Sequence, residues 1–196
     1  MNQHTLKKLA IDEGGFIASR RRFLKNMAYG SLLTLAGTES ASAAVIHFPS
    51  HKALALQNNH TGDKLKLTYF ERGRYIQDAL QEISYLLRDY HNDSVHPIDP
   101  ALLDQLYDLK LSLDTNKPFH IVSGYRSPVT NAKMRRKHHG VAKDSLHMQG
   151  RAIDIQIEGV DTRMIRNAAL AMRRGGVGYY QRSDFVHLDT GNFRTW

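Results

Sequence analysis

Apolar and polar positions alternate along Lys52–Gln57 and again along Lys64–Phe70. Between them, Asn58-Asn59-His60-Thr61-Gly62-Asp63 is rich in turn formers. Period two on both sides of such a segment predicts a β-hairpin. The period then changes. Ile76, Leu80, Ile83, Leu86, Leu87 and Tyr90 recur at helical spacing, which predicts a helix over 75–90. Asp99-Pro100 reads as an N-cap followed by proline at the first helical position. Leu102, Leu103, Leu106, Leu109 and Leu113 share one face of the helix that it opens, and Asn116-Lys117-Pro118 ends it.

Phe119–Ser123 reads as a short apolar strand, and the polar stretch from Gly124 to Asp144 as a loop. Alternation returns at Gly150–Ile157, with Ala152, Asp154 and Gln156 on one side and Ile153, Ile155 and Ile157 on the other. Ile165, Ala168, Ala169 and Met172 predict a helix over 162–174 closed by Gly175-Gly176. Val177–Tyr180 and Phe185–Leu188 complete the pattern as two strands. The order implies an α+β domain on a mostly antiparallel sheet.

The first 43 residues have a different character. Ser19-Arg20-Arg21-Arg22-Phe23-Leu24-Lys25 fits the twin-arginine export pattern at every position. A modest apolar run follows from Met27 to Gly37, and then Ala41-Ser42-Ala43, a small-residue cleavage signal. The run is shorter than the ~20 apolar residues that span a bilayer. The expected organisation is a signal peptide over 1–43 and one domain over 44–196, periplasmic after export, with the twin-arginine translocase as a transient partner and no stable membrane insertion. That pathway carries folded proteins, so a cofactor loaded before export is worth seeking.

The formal charge of +8 falls on removal of Lys7, Lys8, Arg20, Arg21, Arg22 and Lys25 with Asp12, Glu13 and Glu39, but the mature chain stays basic. An anionic partner such as the cell wall suits it. Nucleic acid is not expected of an exported protein. The basic run Lys133-Met134-Arg135-Arg136-Lys137 is a solvated face that also suits anionic peptidoglycan, and His138 and His139 beside it read as surface residues. There is no cysteine, so any metal must be held by His, Asp and Glu.

Three residues stand out. His147 lies in Ser145-Leu146-His147-Met148-Gln149-Gly150-Arg151-Ala152-Ile153-Asp154, and Asp154 sits in a strand whose other face is isoleucine. A carboxylate there is costly to bury without a partner. Alternation in Asp184-Phe185-Val186-His187-Leu188-Asp189 places His187 and Asp189 on one face. Two histidines and an aspartate form a three-ligand set for catalytic zinc with a fourth position open. On spacing alone a strand histidine is more often a core or surface residue than a ligand, and eleven histidines make chance pairs common.

The string Ser-x-His-x-x-Gly-x-Ala-x-Asp with a later strand histidine resembles the zinc peptidases that include D-Ala-D-Ala carboxypeptidases, lysostaphin-like enzymes and the hedgehog domain. Within them the chain is similar to the twin-arginine-exported murein endopeptidases of the MepK (YcbK-like) type. Ile121-Val122-Ser123-Gly124-Tyr125-Arg126-Ser127, Gly175-Gly176-Val177-Gly178-Tyr179-Tyr180 and Phe185-Val186-His187-Leu188-Asp189-Thr190-Gly191 carry the rest of the likeness.

The resemblance implies a hedgehog/D-Ala-D-Ala peptidase-like fold and zinc (Zn2+) on His147, Asp154 and His187. It implies Arg126 as the residue that holds substrate or stabilises an oxyanion, with an ion pair to Asp154 or Asp144 as its structural alternative. Ser145 is a candidate hydrogen-bond donor in the site or a capping residue. Several carboxypeptidase relatives carry Glu three residues before the last histidine ligand. Here Asp184, of shorter reach, holds that place and is the favoured general base. Asp189 is the other candidate, as base or as the partner that orients His187. The implied activity is zinc-dependent hydrolysis of peptidoglycan stem-peptide cross-links, with the diaminopimelate–diaminopimelate bond as one candidate. A D,D- or L,D-carboxypeptidase and a non-catalytic zinc-containing wall-binding protein are the alternatives.

Overall fold

The protein is described here from a computed structural model, which covers residues 50–137 and 140–196. The export and cleavage motifs, and His138 and His139, lie outside the described residues.

Eight strands form one sheet in the order β3-β2-β1-β4-β5-β7-β6-β8. They are β1 (His51–Asn58), β2 (Lys64–Glu71), β3 (Arg74–Tyr75), β4 (Phe119–Ser123), β5 (Ala152–Ile157), β6 (Gly176–Tyr180), β7 (Phe185–Asp189) and β8 (Arg194–Thr195). Among the described residues, only β1 with β4 and β6 with β8 pair in parallel. Among the described residues the α-helices are α1 (Gln77–Leu86), α2 (Pro100–Ser112), α3 (Pro128–Lys137) and α4 (Thr162–Met172). The α+β architecture read from the sequence is the one observed.

The period-two segments become β1 and β2, joined antiparallel. The Asp99 carboxylate accepts the Ala101 N–H and Pro100 opens α2, as the sequence implies. Ile153, Ile155, Ile157, Val186 and Leu188 form one apolar layer with Leu102, Leu106, Leu109, Ile165 and Ala169 of the helices. Each of the larger side chains among them, Leu, Ile or Val, contributes ~1.5–3 kcal/mol on burial. Strand alternation turns Ala152, Asp154, His187 and Asp189 to the other face.

Three local expectations are corrected. The first helix ends at Leu86, because Asp89 bridges to Ser94 and Tyr90 stacks on His60 instead of continuing the helical face. The polar stretch after Gly124 contains α3. Its buried positions are Thr130 and Asn131, so it carries no apolar stripe. Its start signal is Ser127-Pro128, where the Ser127 hydroxyl accepts the Thr130 N–H at 3.2 Å. Helix α4 is closed by Arg173 in the left-handed conformation (φ 52°), which leaves Gly176 free to begin β6.

Candidate active site

The site forms where three short segments meet. β5 and β7 run antiparallel with Asp154 opposite His187, so the two side chains leave the same face as neighbours. His147 comes from a single 3-10 turn, Leu146–Gln149. Gly150 ends that turn at φ 65°, where a Cβ would stand 2.2 Å from the Pro97 carbonyl oxygen, so only glycine closes it in this way. The turn is pinned from the other side, since the Arg126 N–H donates to the His147 carbonyl at 3.2 Å.

One donor atom from each of His147, Asp154 and His187 lies within 4.8 Å of the other two, and all three residues are buried. His187 Nδ1 is 2.8 Å from Asp154 Oδ1 and 3.2 Å from His147 Nε2. His147 Nε2 is 3.4 Å from the same carboxylate oxygen. The remaining ring nitrogens are engaged elsewhere. His147 Nδ1 donates to the Gly124 carbonyl at 2.7 Å, and His187 Nε2 donates to Asp189 Oδ2 at 3.1 Å. These outer partners hold each imidazole so that its other nitrogen faces the centre. Two imidazoles and one carboxylate, without thiolate, form a donor set that fits a divalent metal of zinc type.

Burial opposes ionisation of Asp154, but the imidazoles of His147 and His187 outweigh it and hold the carboxyl well below the usual range. Burial likewise opposes a charge on His187, yet Asp154 and Asp189 on its two sides raise its pKa. At Asp189 burial is again overcome, here by His187, Arg194 and the N–H groups of Gly191 and Gly176. The centre is therefore built around retained carboxylate charge.

Arg126 sits at the edge of the triad. Its Nη2 is 3.9 Å from Asp154 Oδ2 and 3.3 Å from the Ser123 hydroxyl, and its Nη1 is 3.5 Å from Asn131 Oδ1. All three contacts are long, so the guanidinium keeps donor capacity for another group. A β-bulge between Ile121 and Ser123 places Ser123 opposite Asp154 and turns its hydroxyl toward Arg126. Ser145 is buried at the start of the 3-10 turn and makes no side-chain capping bond to it.

Asp184 is placed differently. It is exposed, in a left-handed turn (φ 53°), and its carboxylate accepts the Thr162 hydroxyl at 2.8 Å at the first turn of α4. It borders a hollow of about 510 Å³ with His120, Gln156 and Asp161, which no triad residue lines. The structure thus brings together His147, Asp154, His187, Arg126 and Asp189, with Ser145 at the start of the turn that carries His147, but does not bring Asp184 to them. Gly124, Ser123, Asn131 and Arg194 are partners that sequence reasoning missed. The string at 121–127 contains the first two, while Asn131 and Arg194 lie outside every string that carried a signal.

A family profile described as peptidoglycan L,D-endopeptidase MepK (Peptidase_M15_2) matches residues 47–196. The chain is 45% identical over 181 residues to the peptidoglycan L,D-endopeptidase MepK of Escherichia coli K12, covering 92% of this chain and 98% of that one. The protein of the same name from Shigella flexneri matches to the same extent. A protein of Haemophilus influenzae named as a probable peptidoglycan L,D-endopeptidase MepK is 38% identical over 154 residues, covering 78% of this chain and 83% of its own.

Proposed function

The chain belongs to the MepK family of peptidoglycan L,D-endopeptidases, and on that premise we propose that it hydrolyses peptide cross-links of peptidoglycan with one zinc ion on His147, Asp154 and His187. The observation that carries the metal assignment is the convergence of His147 Nε2, His187 Nδ1 and an Asp154 oxygen, with the outer nitrogens of both rings already bonded. When bound, zinc supplies Lewis acidity, polarising a carbonyl and lowering the pKa of water to ~7.

The protein's own groups do the rest. Gly124 and Asp189 fix the faces that His147 and His187 present. Arg126, with donors to spare beside Asp154, orients the scissile peptide and stabilises negative charge on its carbonyl oxygen. Asp154 is buried among cationic and hydrogen-bonding groups and remains ionised as a ligand. Asp189 carries its charge on the Nε2 side of His187, the opposite side of the ring from the Nδ1 that faces Asp154 and His147. Family membership supports the endopeptidase reading over stem-end trimming, and the diaminopimelate–diaminopimelate bond is the candidate cross-link.

Periplasmic action follows from the substrate class, and the twin-arginine string at 19–25 supports export of the folded, metal-loaded chain. The exposed basic residues Lys133, Arg135, Arg136 and Lys137 on α3 suit the anionic wall. Among the described residues no helix is long and apolar enough to cross a membrane.

The test is incubation of the purified protein with cross-linked and uncross-linked muropeptides, with and without a chelator. Release of monomers from cross-linked dimers, lost with chelator and restored by zinc, is the expected result. Cleavage of stem ends alone would favour a carboxypeptidase. Binding without cleavage would leave a wall-binding protein.

A further inference from the structure

Arg194 is the cationic partner of Asp189. Its guanidinium grips Asp189 with both terminal nitrogens, Nη2 to Oδ2 at 2.6 Å and Nη1 to Oδ1 at 3.1 Å. Asp189 is fully buried. Its Oδ1 also accepts the N–H groups of Gly176 at 3.0 Å and Gly191 at 2.8 Å, and its Oδ2 accepts from His187 Nε2 at 3.1 Å. A buried carboxylate without a countercharge is strongly unfavourable, and Arg194 provides the countercharge through a two-pronged contact that sets direction as well as charge.

The next residue but one acts on the same imidazole. The Trp196 ring lies 5.2 Å from the His187 ring and 5.0 Å from the Arg194 guanidinium. It rests over Gly178, where a Cβ would stand 2.6 Å from the indole, and its Nε1–H donates to the Tyr180 hydroxyl at 2.9 Å. Pairing of β8 with β6 delivers both side chains to one flank of His187.

We propose that Arg194 is a positioning residue of the metal centre, acting through Asp189 on His187. It holds Asp189 in the orientation that engages Nε2 of His187 and so presents Nδ1 toward Asp154 and His147. The inference rests on the zinc reading above. An imidazole can bind through either nitrogen, and a carboxylate free to turn would no longer select one. A side chain that touches no ligand then sets how firmly the metal is held, an effect typically of ~10–100-fold for such outer partners.

A merely structural Arg194 would staple β8 to the sheet and nothing more. Zinc affinity, measured by chelator competition on folded protein, separates the two. Arg194→Gln should weaken zinc binding ~10–100-fold, and Arg194→Lys should recover part of the loss. Asp189→Asn should weaken binding similarly, and adding Arg194→Gln to it should change little, because the path is already cut. Additive losses would mean that Arg194 does not act through Asp189 and would overturn the proposal. So would zinc affinity of Arg194→Gln within about twofold of wild type, against the ~10–100-fold expected. Should Asp189→Asn fail to fold, cobalt substitution of wild type and Arg194→Gln gives the same answer. The ligand-field bands should shift if His187 is displaced, and unchanged bands would overturn the proposal. Failure of the wild type itself to bind zinc would instead remove the metal reading, and this inference with it.

Discussion

The carboxylate of Asp184 accepts the Thr162 hydroxyl at 2.8 Å, at the first turn of α4 and away from the imidazole of His187 three residues on. Alternation along β7 turns His187 to one face while Val186 and Leu188 join the apolar layer against the helices. Asp184→Ala should therefore keep its zinc and turn over muropeptides within a few-fold of wild type, at a stability cost of ~1 kcal/mol for the lost bond. A fall of ~10²–10⁴-fold in turnover with zinc retained is the size of a lost general base and would return Asp184 to the chemistry.

His187→Ala should abolish most zinc binding. Two remaining protein ligands hold a catalytic zinc poorly. Elemental analysis of purified wild type should show about one zinc per chain, and of the variant far less. Equal zinc in both would take His187 out of the centre.

Arg126→Gln should leave zinc content unchanged and reduce muropeptide turnover ~10²–10³-fold, the usual cost of one charge-stabilising donor. Its contacts to Ser123, Asn131 and Asp154 are all long, so little structure depends on them. Turnover at the wild-type level would assign Arg126 to the Asp154 ion pair alone.

Asp89, which is not one of the triad, gives a pH signature. Burial opposes its ionisation, but the Thr130 and Ser127 hydroxyls and the N–H groups of Ser127 and His91 outweigh burial and hold the carboxyl below its ordinary value. The folded pKa is depressed, so the stabilisation is complete above the unfolded value of ~3.9 and is lost as pH falls through the folded one. In metal-stripped protein, Asp89→Asn should cost ~1.5–3 kcal/mol near neutrality, a difference that shrinks in acid. Denaturant titrations of both proteins across that range would show it. A difference constant with pH would mean that Asp89 does not stabilise as a carboxylate.

Replacing both Arg20 and Arg21 with lysine should block export, since paired guanidinium groups present a planar donor fork that ammonium does not reproduce. Fractionation of cells and the size of the accumulated chain give the readout. Normal processing and periplasmic recovery of the double variant would refute twin-arginine targeting.

The sequence by itself determined the elements whose periodicity is set by burial on one side. The alternation in Lys52–Gln57 and Lys64–Phe70 gave the hairpin, the leucines after Asp99-Pro100 gave α2, and the isoleucines of β5 gave a strand with one apolar face. Those isoleucines also made Asp154 conspicuous. The segment around His147 and the Phe185–Asp189 string were legible for the same reason, because chemistry-bearing residues interrupt otherwise regular patterns. Helix α3 was not legible, since its buried positions are polar and a hydrophobic period has nothing to register. Tertiary structure alone shows how differently the two acidic residues flanking His187 are placed. Asp184 and Asp189 lie three residues before and two residues after it, and spacing gives both a claim. A left-handed turn directs Asp184 to Thr162, while strand geometry and Arg194 hold Asp189 against the imidazole. Direction at a turn, and a countercharge arriving from a strand paired across the sheet, depend on backbone angles and long-range pairing that no local pattern encodes.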